Sequence, residues 1–348
     1  MIEYGKMVDR MDTLISCCGQ FDSQMISDNV FIHASNSKHL LLRPLDTLLK
    51  AGKLIKENKI DVIFCQDPLI NGFMAWLLAK RYGVKMVVSV FGNNVFDKYW
   101  RREHWYNFIM KYVGMIVLRG ADVIQTDGYN NFLILKEKYG EKVFWKPIIP
   151  SDIDKYKVES KSIINGKVRI AFVARLAKQK NIAMLVKVIG KIVDKKYPVE
   201  VVFTIAGDGP ERYRFKQFEK NDNVRLVGSC NREELDVLYK DNDVLILTSY
   251  YEGFPRVFME AAANGLAFVV VNVSGASNVV EEGKNGYIIN QDDVDDFVRK
   301  LEMLITDEEL LKNFSAYTLK NISKKFYSGL SIEIHQKIID YLRRVYNI

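Results

Sequence analysis

Two basic and two acidic residues in the second half of this 348-residue chain have the types and spacing to hold a phosphorylated, hydroxyl-rich ligand. Arg175 and Lys180 fall in Val-Ala-Arg-Leu-Ala-Lys-Gln-Lys-Asn (173–181), directly after an apolar run. Glu252 and Glu260 fall in Thr-Ser-Tyr-Tyr-Glu-Gly-Phe-Pro-Arg-Val-Phe-Met-Glu-Ala-Ala-Ala-Asn-Gly (248–265), directly after another. Cations beside a helix N-terminus suit a phosphate, and carboxylates accept hydrogen bonds from hydroxyl groups. Pro255 stands where a helix is expected to begin, because its fixed φ and missing N–H suit the first helical position. Residues 256–264 are nearly all apolar and Gly265 closes the stretch, the pattern of a buried helix with a glycine stop. A carboxylate inside such a helix is costly unless something bonds it, so Glu260 calls for a polar partner.

Taken singly, each feature has an ordinary reading. Arg175 and Lys180 could be solvated charges ahead of a helix, and Gly207-Asp-Gly-Pro (207–210) a plain strand-to-helix turn. Glu260 could pair with Arg256 one turn earlier. That order, base before acid, is the weaker one, and an isolated pair contributes only ~0.2–0.5 kcal/mol. It would hardly offset burial.

These residues need elements to carry them. In the first half, strands are expected at 13–17, 30–34, 61–65, 85–90, 122–125 and 142–145, with helices at 44–57, 69–82, 104–119 and 130–139. In the second, strands are expected at 168–174, 199–206, 224–227, 243–247, 267–271 and 287–289, with helices at 182–193, 232–239 and 256–264 and from about 290 to the end. This alternation predicts parallel sheets covered on both faces: an α/β chain of two tandem, doubly wound, Rossmann-like domains. Pro147 and Pro150, followed by a polar stretch to Gly166, mark the linker. The expected division is 1–158 and 159–328, with a final helical segment 329–348. In such sheets ligands bind outside the carboxyl ends of the strands, and between two such domains in the cleft. Arg175 and Lys180 follow the first strand of the second half, Gly207 and Gly209 the second, Gly228 the third, and Glu252 and Glu260 the fourth. One rim therefore gathers them all, and together they point to a sugar nucleotide. Only a helix-like fragment, 2–10, precedes the first strand, so the first sheet is expected to lack the strand and glycine-rich turn that open a Rossmann-type half.

Composition excludes several classes. Hydrophobic residues make up 48% and charged residues 27%, as in a soluble globular protein. No apolar run approaches the ~18 residues of a spanning helix, and the N-terminus lacks a signal-peptide core. The four cysteines show no Cys-x-x-Cys spacing and the four histidines are scattered, which argues against a zinc site or a disulfide framework and for a cytoplasmic setting. The net charge of +7 is divided as +5 over residues 1–158 and +2 over the rest. No dense basic stripe of the kind that binds nucleic acid is present. One local exception is 98–119, five basic residues against one acid, interleaved with aromatics. It is expected either to lie on an anionic membrane surface, where a lipid-linked acceptor would sit, or to be a buried helix with snorkelling ends.

The stretch 248–265, with its Glu-x7-Glu spacing, resembles the signature of family 4 glycosyltransferases, retaining enzymes of the GT-B fold. Matching context covers 168 to about 290: Ala174-Arg175 with Lys180, Ala-Gly-Asp-Gly-Pro (206–210), Val227-Gly228 before Glu-Glu-Leu (233–235), and Gly-Lys-Asn-Gly (283–286). The first half matches through Cys-Gln-Asp-Pro (65–68) and Ile-Pro-Ser-Asp-Ile-Asp (149–154). The resemblance implies that Arg175 and Lys180 bind the donor diphosphate and neutralise the charge growing on it. Glu252 would touch the donor sugar, and Glu260 the ribose hydroxyls. Backbone N–H groups of Gly253, Phe254, Arg256 and Val257 would meet the phosphates, and the loop at Gly228 would frame the base. It implies no metal and no cofactor beyond a UDP-, GDP- or ADP-sugar donor, with a glycan or lipid-linked acceptor and cell-surface polysaccharide or glycolipid synthesis as the setting. The final helix would pack back on the first domain, and the enzyme would work in the cytoplasm, peripheral to the inner face of the membrane. Asp67 and Asn93 are the acceptor-side candidates. The chain departs from the pattern at Ala174, at Asn278 and at Phe-Gly-Asn-Asn (91–94), where relatives carry glycine, glutamate and a nearby histidine. Two alternatives stay open: a catalytically inactive subunit that binds nucleotide-sugar or a partner transferase, and a sugar-nucleotide 2-epimerase.

Overall fold

Short apolar runs become strands and the amphipathic stretches between them become helices, in an order that repeats along the chain. The computed structural model describes residues 1–91, 98–150, 153–155, 157–158, 166–322 and 324–348. They fall into two units, Met1–Pro147 with Ser331–Ile348, and Ile148–Leu330. The division at Pro147 precedes the expected one at 158. The reason is local: Ile153 is buried, and Val158 N–H donates to Ala263 O at 3.0 Å, so this part of the expected linker is tied to the second unit.

The first unit opens with a helical turn α1 (Ile2–Gly5), then β1 (Met11–Ile15), β2 (Gln24–Ser27), β3 (Val30–Ala34) and α2 (Arg43–Asn58). It continues through β4 (Val62–Cys65), α3 (Ile70–Tyr82), β5 (Lys85–Val90), α4 (Lys98–Glu103) and α5 (Tyr106–Gly120). β6 (Val123–Thr126), α6 (Tyr129–Tyr139) and β7 (Val143–Trp145) complete it. Strands β4-β5-β6-β7 form one parallel sheet in chain order. β5 and β6 are almost wholly buried, as expected of strands covered on both faces. The uniform parallel sheet expected of this half is not what forms. β1, β3 and β2 make a separate sheet in which β1 pairs parallel to β3, but β2 pairs antiparallel to it. β2 is mostly exposed, so it lacks the apolar run by which a strand is read. The expected strand 13–17 sits two residues earlier.

The last helix, α13 (Leu330–Tyr346), buries Ile334, Ile338, Ile339 and Leu342, a single apolar stripe at helical spacing. Its partners come from the first unit: Tyr341 meets Phe144 with ring centroids 5.4 Å apart, and Lys85 Nζ lies 4.0 Å over Tyr346. His335 packs between Tyr4 and Phe64, and its Nδ1 accepts a hydrogen bond from Lys146 Nζ at 3.2 Å.

The second unit contains β8 (Lys167–Val173), α7 (Ile182–Val193), β9 (Glu200–Ala206), β10 (Val224–Gly228), α8 (Arg232–Asp241), β11 (Val244–Leu247) and α9 (Arg256–Ala263). β12 (Ala267–Val271), α10 (Ala276–Val279), β13 (Gly286–Ile289), α11 (Val294–Thr306) and α12 (Glu308–Tyr317) follow. Its six strands are all parallel, in the order β10-β9-β8-β11-β12-β13. The central strands bury Phe172, Phe203, Ile205, Ile246 and Val269 against Leu185, Val188 and Ile189 of α7 and Phe297, Leu301 and Leu304 of α11. Each such side chain contributes ~1.5–3 kcal/mol on burial. At the amino end of the sheet Asp243, fully buried, accepts from Arg169 N, Nε and Nη2 at 2.9, 2.9 and 2.7 Å, locking β8 to β11.

Burial and the adjacent Lys146 ammonium push the His335 imidazole down to about 3, while burial alone pushes Lys146 down to about 8. Between pH 3 and 6.5 the unfolded chain then binds a proton at His335 that the folded chain refuses, so stability falls as pH drops through this window. Calorimetry on the wild type should show the first unit's melting temperature declining from pH 7 to pH 5. His335→Gln, which keeps an acceptor for Lys146 but does not titrate, should flatten that decline.

Candidate active site

The strand order reverses at β8: β9 and β10 lie to one side, and β11, β12 and β13 to the other. Where adjacent strands send their connections in opposite directions, their carboxyl ends leave a crevice. The loops that follow β8 and β11 bound it. After β8 come Arg175, a short 3₁₀ turn Lys178–Lys180, and Asn181, which caps α7 by accepting from Met184 N at 3.2 Å. After β11 come Thr248, Ser249 and the turn that carries Glu252.

Main-chain bonds stitch this rim together. Ala174 N–H donates to Ala206 O, Leu176 N–H to Asp208 O, and Gly207 N–H to Gly228 O, at 3.0, 2.9 and 2.6 Å. Tyr250 N–H donates to Gln179 O at 2.9 Å, and Gln179 Nε2 returns a bond to Tyr251 O at 2.9 Å. Thr248 Oγ1 donates to Lys180 O at 2.8 Å, and Gln291 Nε2, beyond β13, reaches Ser249 O and Tyr250 O at 3.1 and 3.0 Å. The approach of the β8 and β9 loops is so close that a Cβ on Gly207 would lie 1.9 Å from Ala174 O. Gly207 is therefore required by packing as well as by its left-handed φ of 131°.

Across the crevice Lys180 Nζ donates to Glu252 Oε1 at 2.5 Å, both side chains being largely buried. A lysine ammonium has three donors and a carboxylate about four acceptor sites. The pair therefore retains capacity on both sides, and Glu252 Oε2 has no donor among the described residues. Arg175 is exposed on the same loop and has no acidic partner among the described residues. Pro255 caps α9, so the N–H groups of Arg256 and Val257 lie in its first turn, where no intrahelical acceptor exists. Gly253 and Phe254 form the turn before it, backed by Gly275, whose added Cβ would lie 2.9 Å from the Phe254 ring.

Glu260 finds a stronger partner than the expected Arg256, which lies 3.9 Å away and half in solvent. Arg232 Nη1, at the head of α8, donates to Oε1 at 2.6 Å, and the buried Tyr239 hydroxyl donates to Oε2 at 2.9 Å. Burial, reinforced by the adjacent Glu260 carboxylate, pushes the Tyr239 phenol well above its ordinary range, so it remains a donor. Gly228 ends β10 with φ of 76° and open space where a Cβ would stand. Sequence reasoning missed Arg232, Tyr239, Gln179 and Gln291. Only the first two left a signal, a seven-residue spacing that puts both on one helix face.

In the first unit Asp67 is engaged locally: Oδ1 accepts from Leu69 N–H at 2.8 Å and Oδ2 from the Asn71 amide, which fastens the start of α3. Asn93 lies outside the described residues. The structure thus gathers Arg175, Lys180, Glu252, Gly253, Phe254, Arg256, Val257, Glu260 and Gly228 at one end of one sheet, and Asp67 belongs to another unit.

A relative from Haemophilus influenzae named only as an uncharacterized glycosyltransferase is 31% identical over 326 residues, 87% of this chain and 84% of that protein. The chain belongs to the family 4 glycosyltransferases. The family model for glycosyl transferases group 1 matches residues 153–321 of this glycosyltransferase, and that for glycosyl transferase 4-like proteins matches 14–126. The Escherichia coli UDP-Gal:alpha-D-GlcNAc-diphosphoundecaprenol alpha-1,3-galactosyltransferase is 26% identical over 321 residues, 88% of this chain and 80% of its own. Among solved structures, Anabaena Alr3699/HepE in complex with UDP superposes with a TM-score of 0.69 at 16% identity, covering 91% of this chain and 86% of that one. The GT-B fold is common to both.

Replacing Gly207 by Ala should cost more than about 2 kcal/mol, through steric overlap with Ala174 O and backbone strain. Gly190→Ala in the interior of α7, where an added Cβ meets nothing within 4 Å, should instead stabilise the glycosyltransferase by ~0.5–1 kcal/mol. Denaturant melts of the two variants should move in opposite directions.

Proposed function

We propose that this glycosyltransferase moves a hexosyl group from a nucleoside diphosphate sugar to a hydroxyl of a glycan or lipid-linked acceptor, with retention of configuration and without a metal ion. The observation that carries the reading is the Lys180–Glu252 pair, which spans the crevice where the strand order reverses, with Arg175 exposed beside it. In the reaction the bond from the anomeric carbon to the donor's diphosphate oxygen breaks, and a bond to the acceptor oxygen forms on the same face. The acceptor's proton passes to the departing phosphate oxygen, so no protein nucleophile is needed. Arg175, Lys180 and the first-turn N–H groups of α9 supply positive charge where the diphosphate gains negative charge. Glu252 orients the sugar hydroxyls, and Glu260 the ribose. UDP is the favoured nucleotide, since the Escherichia coli relative is named for UDP-Gal and Alr3699/HepE was solved with UDP.

Turnover assays with UDP-, GDP- and ADP-sugars test this directly. Arg175→Ala and Lys180→Ala should each lower kcat about 10²-fold or more, the scale of losing one donor to a developing oxyanion. Rates unchanged in both variants would remove the site. Tight nucleotide binding without turnover on any acceptor would instead favour the inactive-subunit alternative.

The lipid-linked form of the acceptor draws support from the surface of the first unit. Trp105 (81% exposed), at the N-cap of α5, shares a helical spacing with the exposed Ile109, Tyr112 and Ile116, and Ile70, Phe73 and Leu77 are exposed on α3, which packs against α5. Such exposed apolar side chains, with Arg101 and Arg102 on the preceding α4 and Lys111 on α5, fit an anionic bilayer surface better than bulk water. No helix of the described residues is long and apolar enough to cross a membrane. In co-sedimentation with phosphatidylglycerol vesicles, joint Arg101→Ala and Arg102→Ala should weaken binding by about 2 kcal/mol. Equal sedimentation of wild type and variant would dismiss the membrane contact.

A further inference from the structure

Glu260 sits 5% exposed in an otherwise apolar helix, and each of its two oxygens is met by one donor from α8. Arg232 is the first residue of that helix and Tyr239 lies seven residues on, two turns away, so both project from the same face. One donor per oxygen leaves each oxygen with a spare acceptor position, because a carboxylate offers about four. Two spare positions on two adjacent oxygens match a vicinal diol.

We propose that Arg232 and Tyr239 are the positioning residues of the ribose subsite, holding the Glu260 carboxylate in the single orientation that meets the donor's 2′- and 3′-hydroxyls. The inference rests on the donor reading above. α8 links the carboxylate to the loop 228–231, which leads from β10 into its cap. Asn231 closes that cap as a box, its side chain accepting from Glu234 N–H at 2.9 Å while its own N–H donates to Glu234 Oε2 at 2.7 Å. The loop assigned to the base and the acceptor assigned to the ribose are thus both fastened to α8, and changes in that helix should disturb nucleoside recognition without touching the acceptor sugar. If Arg232 and Tyr239 only neutralised a buried charge, their loss would lower the melting temperature and leave ligand preference unchanged.

The deciding measurement is calorimetric titration of whichever of UDP, GDP and ADP binds, against its 2′,3′-dideoxy form, into the full chain. Thermal melts are recorded alongside for wild type, Tyr239→Phe and Arg232→Lys. The wild type should prefer the ribose form by at least ~10-fold, the scale of a buried acceptor left without its donor. Each variant should bind the ribose form about 5–10-fold more weakly and the dideoxy form within about twofold of wild type, so that the preference collapses. In turnover the same variants should raise the donor KM and leave the acceptor KM in place. A ribose preference retained in both variants, whatever their melting temperatures, overturns the positioning role and leaves the donor reading standing. Absence of ribose preference in a wild type that binds nucleotide overturns it as well. A wild type that binds none of the three nucleotides overturns both readings.

Discussion

A carboxylate sunk in an apolar helix has to be met by donors from other elements, and in the second unit that requirement fixes more than the carboxylate. The body of α9 offers Glu260 only Arg256, one turn back and half in solvent. The charge is therefore stabilised by Arg232 and Tyr239, which can reach it only if α8 docks against α9. Docking α8 in turn fixes the loop that joins β10 to it. Glu252 does the same for the loops after β11 and β8, through Lys180. The groups that make the crevice chemically useful are thus also what hold its walls. Apolar residues of similar shape in their place could leave the fold as stable or more so, while removing the acceptors proposed for the sugar nucleotide.

The two ends of β8 and β11 show how a structural ion pair differs from one fit for binding. At the amino end Asp243 is wholly buried and takes three bonds from Arg169, two of them from the guanidinium fork. Its acceptor capacity is nearly filled and it faces no open crevice, which is the geometry of a strand clamp. At the carboxyl end the Lys180–Glu252 pair makes a single bond, and Lys180 keeps two donors. Both pairs join the same two strands. The second carboxylate keeps the larger share of its acceptor sites unused, and it lies where the reversal of strand order opens the sheet.

Most of this was legible in the residues. Parallel strands buried on both faces read as continuous apolar runs, so Lys85–Val90 and Ala267–Val271 appear in the structure with the expected bounds, and the helix Ile182–Val193 does so through its apolar spacing. The rim residues of the second unit could be grouped because each follows a strand and the strands run parallel. What escaped notice was set by tertiary contact. β2 is an exposed edge whose pairing depends on β3, not on its own composition. Arg232 and Tyr239 read as ordinary members of an amphipathic helix until α9 is placed beside them. Asp67 read as an acceptor-side candidate, and its oxygens also accept from Leu69 N–H and the Asn71 amide, an interaction two to four residues away that strand-end position alone did not reveal.

The difference in legibility between the two units follows from the chemistry each is proposed to serve. A nucleoside diphosphate sugar presents fixed groups, a diphosphate, a ribose diol and a ring of hydroxyls, and these demand fixed side-chain types at fixed strand ends. Acceptors share little beyond one reactive hydroxyl, so the first unit has less reason to carry a recognisable set of charges. What it carries is an unusual distribution of apolar surface: α13 seals one apolar stripe inward, with Ile338 and Leu342 buried, while α3 and α5 turn Phe73, Trp105 and Tyr112 outward. The inward stripe needs no explanation beyond core formation. An outward aromatic face does, since water is a poor solvent for it, and the bilayer contact proposed above would account for both its apolar residues and the basic residues near it in the chain.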